Sequence, residues 1–333
     1  MSVRQEDIAR HLGLSITTVS LALRDSPEIA EATRHLIRET ATQLGYVHRS
    51  RSTFSFDLTK LNMTRVAFAM QYTPTNSFYG AVLLGAESEC RQHNLILHYT
   101  LFDETNPRLL KQCKEADALL LVGSIDPESI QRLCELERPV VLVDNHLPQF
   151  DVDQILTQNT PSIIRTVTWL YQQGHRKIAF LRGDEDQPSL RERVQGYRET
   201  MVSLGLELME LHCPGKYLQQ SGEKTMEQWL STHHQPGFTA LIGCNDDAAI
   251  GALHTLQNRG VVVPKDVSIV GFDDVEMAQA VWPQLTTNHV HREQMGSLAI
   301  QQLIERSRIT DRPSITQTLG TTFIERASTR SLL

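Results

Sequence analysis

Three polar residues with the chemistry to bind hydroxyl groups each follow a short apolar run. Asp144 follows VVLV, Asn245 comes two residues after ALIG, and Asp273 follows SIVGF. Apolar runs of this length are typical of buried parallel strands, whose carboxyl ends meet at one edge of a sheet. Since carboxylate and amide oxygens accept hydrogen bonds, we predict that these three residues line a ligand-binding cleft.

Four further residues, Phe78, Tyr79, Arg193 and Tyr217, complete this predicted site. Arg193 lies in the run RERVQGYRE and offers a planar fork of donors, and the aromatic side chains can cover the apolar face of a ring. The set suits a polyhydroxylated ligand, with a sugar as first choice and a purine as the alternative. Positive charge near Arg193 is too sparse for a phosphorylated sugar.

A structural interpretation competes with ligand contact at some of these positions. Aspartate and asparagine cap helices and close turns at strand ends, and Asn245 directly precedes the helix pattern DDAAIGAL. We expect capping and ligand contact equally at Asn245, whereas ligand contact is favoured at Arg193 and Asp273. Phe78 also fits a simple core position.

A second group of candidate residues, within positions 3–46, has the pattern of a DNA-reading unit. Apolar residues recur there at helical spacing, as a small shared core requires: Ile8, Ala9, Leu12, Val19, Leu23, Ile37, Ala41 and Leu44. Gly13 supplies a turn, Ser15 is placed to cap a second helix, and Gly45 ends a third. This pattern predicts an all-α helix-turn-helix head that leaves the start of its second helix free to enter a major groove. A three-helix bundle that binds no nucleic acid is the alternative.

The predicted cleft residues lie in a region, from residue 65 onward, where strand and helix patterns alternate. Near-continuous apolar strands separated by amphipathic helices imply parallel sheets covered on both faces. The units are too many for one ordinary sheet, and the alternation pauses near residues 150–160. We therefore predict an α/β region of two Rossmann-like lobes, with a cleft at the carboxyl ends of the strands.

Composition excludes several classes of protein. The 333 residues contain no apolar run of membrane-spanning length, and the charged amino terminus lacks the pattern of a secretory signal. Five scattered cysteines without a C-x-x-C pair suit a reducing compartment. We expect a cytoplasmic, nucleoid-associated protein of two to three domains without membrane contact.

The sequence carries no recognisable catalytic motif. It lacks a nucleophile elbow, a phosphate-binding loop and a dinucleotide fingerprint opening a βαβ unit. The histidine pairs His233–His234 and His289–His291 have no third placed ligand. We therefore predict neither an enzyme nor a metal or cofactor, although the aspartates of the cleft leave an α/β enzyme as an alternative.

The net charge of −7 is distributed unevenly along the chain. The first 60 residues carry eight Lys or Arg and seven Asp or Glu, so the head is only weakly basic. Arg4, Arg24, Arg34, Arg49 and Arg51 must supply most of its attraction for phosphates. We expect modest non-specific DNA affinity with a marked dependence on salt.

In these motifs the chain resembles the lactose/galactose repressor (LacI/GalR) family of transcription regulators. The resemblance is carried in the head by DIARHLGLS, TTVSLAL, SPEIAEATR and LGY, and further on by PVVLVDN, GHRKIAFLRG, RERVQGYRE, CNDDAAIGAL, VPKDVSIVGFDD and PQLTT. It implies a DNA-binding domain at 1–46, a hinge or linker at 47–63, and an effector-binding and dimerisation domain at 64–333. That domain is expected to be of periplasmic-binding-protein type, with lobe one at about 65–156 and 290–317 and lobe two at about 157–287 and 321–327.

The resemblance also implies a function and site residues. It implies a homodimeric repressor that binds palindromic operator DNA under the control of a small ligand. The competing hypothesis is a transport receptor that only binds sugar. Effector contacts match Phe78, Tyr79, Asp144, Arg193, Tyr217, Asn245 and Asp273. Val290 stands where many relatives have a polar cleft residue, so one ligand hydrogen bond is expected to be missing.

The DNA-contacting positions of the family fall on the second predicted helix and the hinge. Ile16, Thr17 and Leu21 are expected at base edges, where the apolar Ile16 and Leu21 favour thymine methyl groups. The expected phosphate contacts are Thr18, Ser20, Arg24, Arg49 and Arg51. The hinge departs from the family pattern. The proline and asparagine that relatives often have here are absent, and Ser55 stands where relatives have a leucine that inserts into the minor groove. Phe54 or Phe56 is left either to act as the wedge or to pack on lobe one.

Overall fold

The computed structural model describes residues 5–23, 29–43, 63–71, 78–101, 107–215, 219–309 and 312–333. The chain divides into two compact units, Met1–Thr59 and Lys60–Leu333. Several predicted positions lie outside the described residues: Arg4, Arg24, Leu44, Gly45, Arg49, Arg51, the hinge phenylalanines and Tyr217. The side chains of Thr17, Ser20 and Leu23 are likewise not described.

The amino-terminal unit contains the three predicted helices. They are α1 (Gln5–Leu12), α2 (Ile16–Leu23) and α3 (Glu31–Gln43). A small core joins them, formed by Ile8, Ala9, Val19, Ala22, Ile37 and Ala41. Gly13 has a φ of 66° at the turn, and the amide of Thr18 donates to Ser15 Oγ at 3.0 Å. The predicted turn and cap are thus confirmed.

Lobe one is built on a parallel six-stranded sheet in the order β11-β5-β4-β3-β1-β2. Its strands are β1 (Arg65–Met70), β2 (Ile96–Leu101), β3 (Ala118–Val122), β4 (Val140–Val143), β5 (Asp153–Thr157) and β11 (Thr316–Leu319). Its helices are α4 (Phe78–Gln92), α5 (Pro107–Glu115), α6 (Pro127–Cys134) and α12 (Arg292–Arg308). Successive strand residues alternate between two apolar clusters, so both faces of the sheet are covered.

Lobe two has a parallel four-stranded sheet in the order β7-β6-β8-β9. Its strands are β6 (Ile178–Arg182), β7 (Met209–His212), β8 (Ala240–Gly243) and β9 (Ser268–Val270). Its helices are α7 (Asn159–Gln172), α8 (Pro188–Ser203), α9 (Gln219–His233), α10 (Asp246–Asn258) and α11 (Glu276–Ala280). The predicted fold class, an all-α head followed by two parallel α/β lobes, is confirmed.

The chain crosses between the lobes after β5 and along two antiparallel strands, β10 (Thr287–His289) and β12 (Thr322–Ile324). The β10 strand leads from lobe two into α12 of lobe one. After β12 the last residues return to lobe two, where Ser328 Oγ donates to the carbonyl of Ile269 and the Leu332 amide donates to that of Gln173. These crossovers bring the carboxyl ends of both sheets to one cleft.

Candidate functional site

Arg193 is held on the lobe-two side of the cleft by several independent contacts. Its Nε donates to Asn159 Oδ1 at 2.9 Å, and its Nη1 donates to the Cys244 carbonyl at 2.6 Å. The guanidinium carbon lies 3.7 Å from the centroid of the Phe272 ring, an attractive stacked arrangement. Because these partners come from the start of α7 and from the segments that follow β8 and β9, the donor fork is oriented without a ligand.

Asp273 provides the carboxylate beside this fork. Its Oδ1 lies 3.5 Å from Arg193 Nη2, which makes an ion pair without a hydrogen bond. Burial raises the pKa of Asp273 to about 7, against the influence of Arg193 and with further help from Asp144. Asp273 Oδ1 has no hydrogen-bond donor among the described residues to stabilise the charged form.

Tyr79 and Asp144 face the cleft from lobe one. The Tyr79 hydroxyl donates to Asp144 Oδ2 at 2.9 Å, and burial raises the pKa of both groups. Gly123, directly after β3, makes room for the tyrosine, since a Cβ there would lie 2.9 Å from Tyr79 Cζ. Phe78 is buried in the core of lobe one and meets Tyr79 edge to face at 5.0 Å between centroids.

Three aspartates at the strand ends have backbone conformations that side chains rarely adopt. The φ angles are 57° at Asp144, 117° at Asp273 and 56° at Asp274. Each such conformation costs roughly 1–3 kcal/mol and persists only where surrounding contacts fix it. Strain of this kind concentrates at functional sites, and here it sets the direction of two of the predicted cleft carboxylates.

Asn245 and its neighbour Asp246 perform structural roles at the end of β8. Asn245 Oδ1 accepts from the Ala248 amide at 2.9 Å, so the capping interpretation is confirmed. Asp246 is fully buried and accepts from Thr287 Oγ1 at 2.6 Å and the Val275 amide at 2.9 Å. Burial raises the pKa of Asp246. The residue ties α10 to the crossover strand β10.

A direct polar contact bridges the two lobes beside Arg193. His146, after β4, lies with Nδ1 at 3.0 Å from Glu192 Oε1 on α8. The other carboxylate oxygen of Glu192 accepts from Asn159 Nδ2 at 3.0 Å. Asn159 therefore orients both Arg193 and Glu192.

The second head helix exposes apolar surface at two of the positions expected to contact bases. Ile16 is 50% exposed and Leu21 is partly exposed, so both present apolar surface. Thr18 Oγ1 lies 2.8 Å from Ser15 Oγ and takes part in the helix cap. A hydroxyl that accepts from Ser15 keeps its own hydrogen available for a phosphate oxygen.

Two family models match the chain. Residues 6–48 match bacterial regulatory proteins of the lacI family, and residues 167–329 match the periplasmic binding protein-like domain. The HTH-type transcriptional repressor CytR of Escherichia coli (strain K12) is 27% identical over 336 residues, covering 98% of this chain and 96% of the relative. The chain belongs to the LacI/GalR family.

Solved structures share the fold of this LacI/GalR-family protein. The lac repressor dimer bound to operator and the anti-inducer ONPF is 20% identical, with a TM-score of 0.71, over 99% of this chain and 100% of that one. A LacI-family regulator from Enterococcus faecium with bound ribose is 21% identical, with a TM-score of 0.72, over 81% and 100%. The expected lobes of periplasmic-binding-protein type are thus confirmed.

Membership of the LacI/GalR family establishes the class of function. The protein is a DNA-binding transcription regulator controlled by a small-molecule effector, and it is not an enzyme. Within the described ranges, no helix has the length and apolar character needed to cross a membrane.

The structure brings together residues that the sequence analysis did not select. Asn159 and Phe272 hold Arg193, Gly123 accommodates Tyr79, and Arg292 lies buried at the start of α12. Val290 is buried in the apolar core instead of contributing a polar group to the cleft. Of these residues, only Asn159 could have been selected from the sequence, because it is a polar residue at the predicted first crossover between the lobes.

Proposed function

We propose that the protein is a homodimeric repressor that binds a palindromic operator and responds to a neutral, polyhydroxylated effector, with a sugar as first choice. The proposed effector contacts are Phe78, Tyr79, Asp144, Arg193, Tyr217, Asn245 and Asp273. The observation that carries the proposal is the orientation of the Arg193 fork beside Asp273, whose Oδ1 accepts no hydrogen bond from any described residue.

The pairing of charges in the cleft favours a neutral ligand over a phosphorylated one. Arg193 already lies 3.5 Å from Asp273 and is attracted to Asp144 on the opposite lobe. A phosphate placed at Arg193 would meet these carboxylates, whereas hydroxyl groups donate to them. The ribose complex of the Enterococcus faecium relative supports the same ligand class.

A ligand panel tests the effector class. Purified protein is mixed with pentoses, hexoses, nucleosides and sugar phosphates, and binding is measured by thermal shift and then by calorimetry. We expect a neutral sugar or nucleoside to stabilise the protein and to change its DNA affinity, because effector and operator binding are reciprocally coupled. Stabilisation by sugar phosphates alone would contradict the proposed class.

The head is proposed to read DNA through Thr17 and apolar contacts of Ile16 and Leu21. Thr18, Ser20, Arg24, Arg49 and Arg51 are the proposed phosphate contacts. The exposure of Ile16 supports a contact with thymine methyl groups. Binding-site selection with wild type and Leu21→Arg provides the test, with a shifted base preference expected at one position in each half-site. An unchanged consensus would contradict the proposed reading face.

Dimer formation is proposed because one small head buries too little DNA for useful specificity. Each lobe exposes large apolar residues that a second copy could cover: Leu84, Ile96 and Tyr99 on lobe one, and Val262, Met277 and Trp282 on lobe two. The lac repressor relative is a dimer on its operator. Light scattering should give a dimer mass, and Trp282→Glu should weaken association, whereas a monomer at micromolar concentration would contradict this proposal.

The proposed site of action of the protein is the cytoplasm, at the nucleoid.

A further inference from the structure

Two buried polar atoms beside the cleft have no hydrogen-bond partner among the described residues. They are Asp273 Oδ1 and Arg292 Nη1. The two residues are only 6% and 8% exposed, and these atoms are buried from bulk water. The third atom of this kind, Arg312 Nε, lies beside Asp153 at the opposite end of the lobe-one sheet. An unpaired donor and an unpaired acceptor are therefore both found next to the cleft.

The position of Arg292 is fixed by close packing. It is the first residue of α12, and its Nη2 donates to the Asp274 carbonyl at 2.8 Å. Its guanidinium carbon lies 5.9 Å from the centroid of the Phe78 ring at the start of α4. The α4 and α12 backbones touch, since a Cβ on Gly85 would overlap the Glu293 carbonyl. Arg292 therefore lies at the junction of both lobes with one donor unused.

Asp273 experiences the charges of both arginines. Arg193 and Arg292 each lower the pKa of Asp273, whereas Asp144 and Asp247 raise it. These four groups thus lie within electrostatic reach of the same carboxyl. Two cations and three carboxylates, Asp273 included, give this part of the cleft one net negative charge when all are ionised.

We propose that Arg292 and Asp273 form a hydroxyl-binding subsite, in which Arg292 Nη1 donates to the effector and Asp273 Oδ1 accepts from it. The inference rests on the proposed function, because it assigns a specificity-determining residue to the same cleft. A hydroxyl group both donates and accepts, so hydroxyl groups satisfy both atoms. A carboxylate or phosphate would satisfy Arg292 but repel Asp273, and an ammonium group would satisfy only Asp273. The pair therefore selects neutral polyols, because Asp273 disfavours acidic sugars and Arg292 disfavours amino sugars.

The test combines protein variants with deoxy analogues of the ligand. The probes are D-ribose, D-glucose and adenosine with their mono-deoxy forms, and D-glucuronate and D-glucosamine, each measured by calorimetry on the full chain. For the probe that binds, we expect wild type to lose at least about tenfold in affinity when one particular hydroxyl is removed. Arg292→Met should bind the parent and that deoxy analogue within about twofold of each other. The exposed Arg191→Met is the matched control and should discriminate as wild type does.

The outcomes distinguish a failure of the proposed subsite from a failure of the proposed effector class. If Arg292→Met discriminates against every deoxy analogue as wild type does, the subsite is wrong while sugar binding stands. If no neutral probe binds, the proposed effector class fails and the subsite fails with it. Arg292→Lys keeps a donor and should restore part of the discrimination. Should Arg292→Met not fold, Asp273→Asn must lose discrimination at the same hydroxyl, and unchanged discrimination there overturns the inference.

Discussion

The two lobes hold their cleft-facing groups in different ways. In lobe two, Arg193 is fixed by Asn159, the Cys244 carbonyl and the Phe272 ring, and the residue is 4% exposed. In lobe one, Tyr79 and Asp144 bond to each other, and Asp144 remains partly exposed. Lobe two is thus organised before a ligand arrives, whereas the lobe-one pair can exchange its mutual bond for one to a ligand.

This difference predicts an unequal division of binding energy. Groups fixed in advance lose little conformational entropy when a ligand binds, so their hydrogen bonds contribute more to affinity. Groups that must first break a bond contribute only the difference between the old and the new partner. We expect effector affinity to depend chiefly on lobe two, and substitutions on the two sides can measure the inequality.

Arg193→Ala should have the largest effect. A hydrogen bond from a charged group to a neutral ligand is worth about 1.5–3 kcal/mol, so its loss should weaken effector affinity by roughly ten- to 100-fold. The variant should also unfold at lower denaturant concentration, more so at pH 8 than at pH 5. The reason is that Asp273 is then buried without its cation and can escape the cost only by taking up a proton. Calorimetry and urea unfolding provide the two measurements.

Arg191→Ala is the matched control for this substitution. Arg191 lies two residues earlier on the same helix, is exposed, and donates only to the Glu185 carbonyl in the described structure. Its removal should leave effector affinity within about twofold of wild type. Equal losses from both variants would mean that general positive charge, and not the buried fork, determines binding.

The pH dependence of effector binding should follow Asp273. The pKa of about 7 lies far above the unfolded value of about 3.9, because burial outweighs the attraction of Arg193 and Arg292. A ligand hydroxyl that donates to the carboxylate favours ionisation. Affinity should therefore fall as pH is lowered from 8 to 5, by at most about tenfold per unit below the pKa. Asp273→Asn should bind weakly and with a flatter pH profile.

The same shift has the opposite sign for the stability of the unliganded protein. Between about pH 4 and pH 7 the folded state binds more protons at Asp273 than the unfolded state does. This residue therefore makes the free energy of unfolding decrease as pH rises through that window, by up to about 4 kcal/mol. The difference between wild type and Asp273→Asn in urea unfolding should change across the window. A constant difference would show that Asp273 is ionised throughout.

Tyr79→Phe should have a smaller effect, as expected for the less fixed lobe. The substitution removes the hydroxyl that donates to Asp144 at 2.9 Å and leaves the ring on Gly123. Water can replace that donor because Asp144 is partly exposed. Effector affinity should fall only about three- to tenfold. A loss as large as that of Arg193→Ala would reverse the proposed order of the lobes.

Sequence patterns predicted the strand ends well, because a strand buried on both faces of a parallel sheet is a short run of apolar residues. The runs VVLV and SIV are buried strands; Asp144 follows the first directly, and Asp273 follows the second after Gly271 and Phe272. In the head, the glycine turn and serine cap were predictable for the same local reason. Ala22 was not selected as a core residue, because alanine gives a weak hydrophobic signal despite its complete burial.

The partners of the cleft residues could not be predicted from local patterns. Asn159 lies 34 positions before Arg193 and accepts its hydrogen bond, and Phe272, 79 positions after it, stacks on the same guanidinium. Arg292 has the sequence appearance of an ordinary residue in a first helical turn. Its burial and its unpaired Nη1 depend on how α12 packs against α4, which no local sequence pattern encodes.

The contact between His146 and Glu192 should have the smallest effect, and it tests whether the lobes act together. The two side chains are 40% and 30% exposed, so their pairing is worth only about 0.5 kcal/mol, or about twofold in effector affinity. A double-mutant cycle with His146→Gln and Glu192→Gln isolates this coupling. Because Asn159 binds both Glu192 and Arg193, part of the Glu192 effect should persist when His146 is already replaced. Such a residual effect would assign Glu192 to the fixed side of the cleft, whereas a purely pairwise effect would make it a bridge between the lobes.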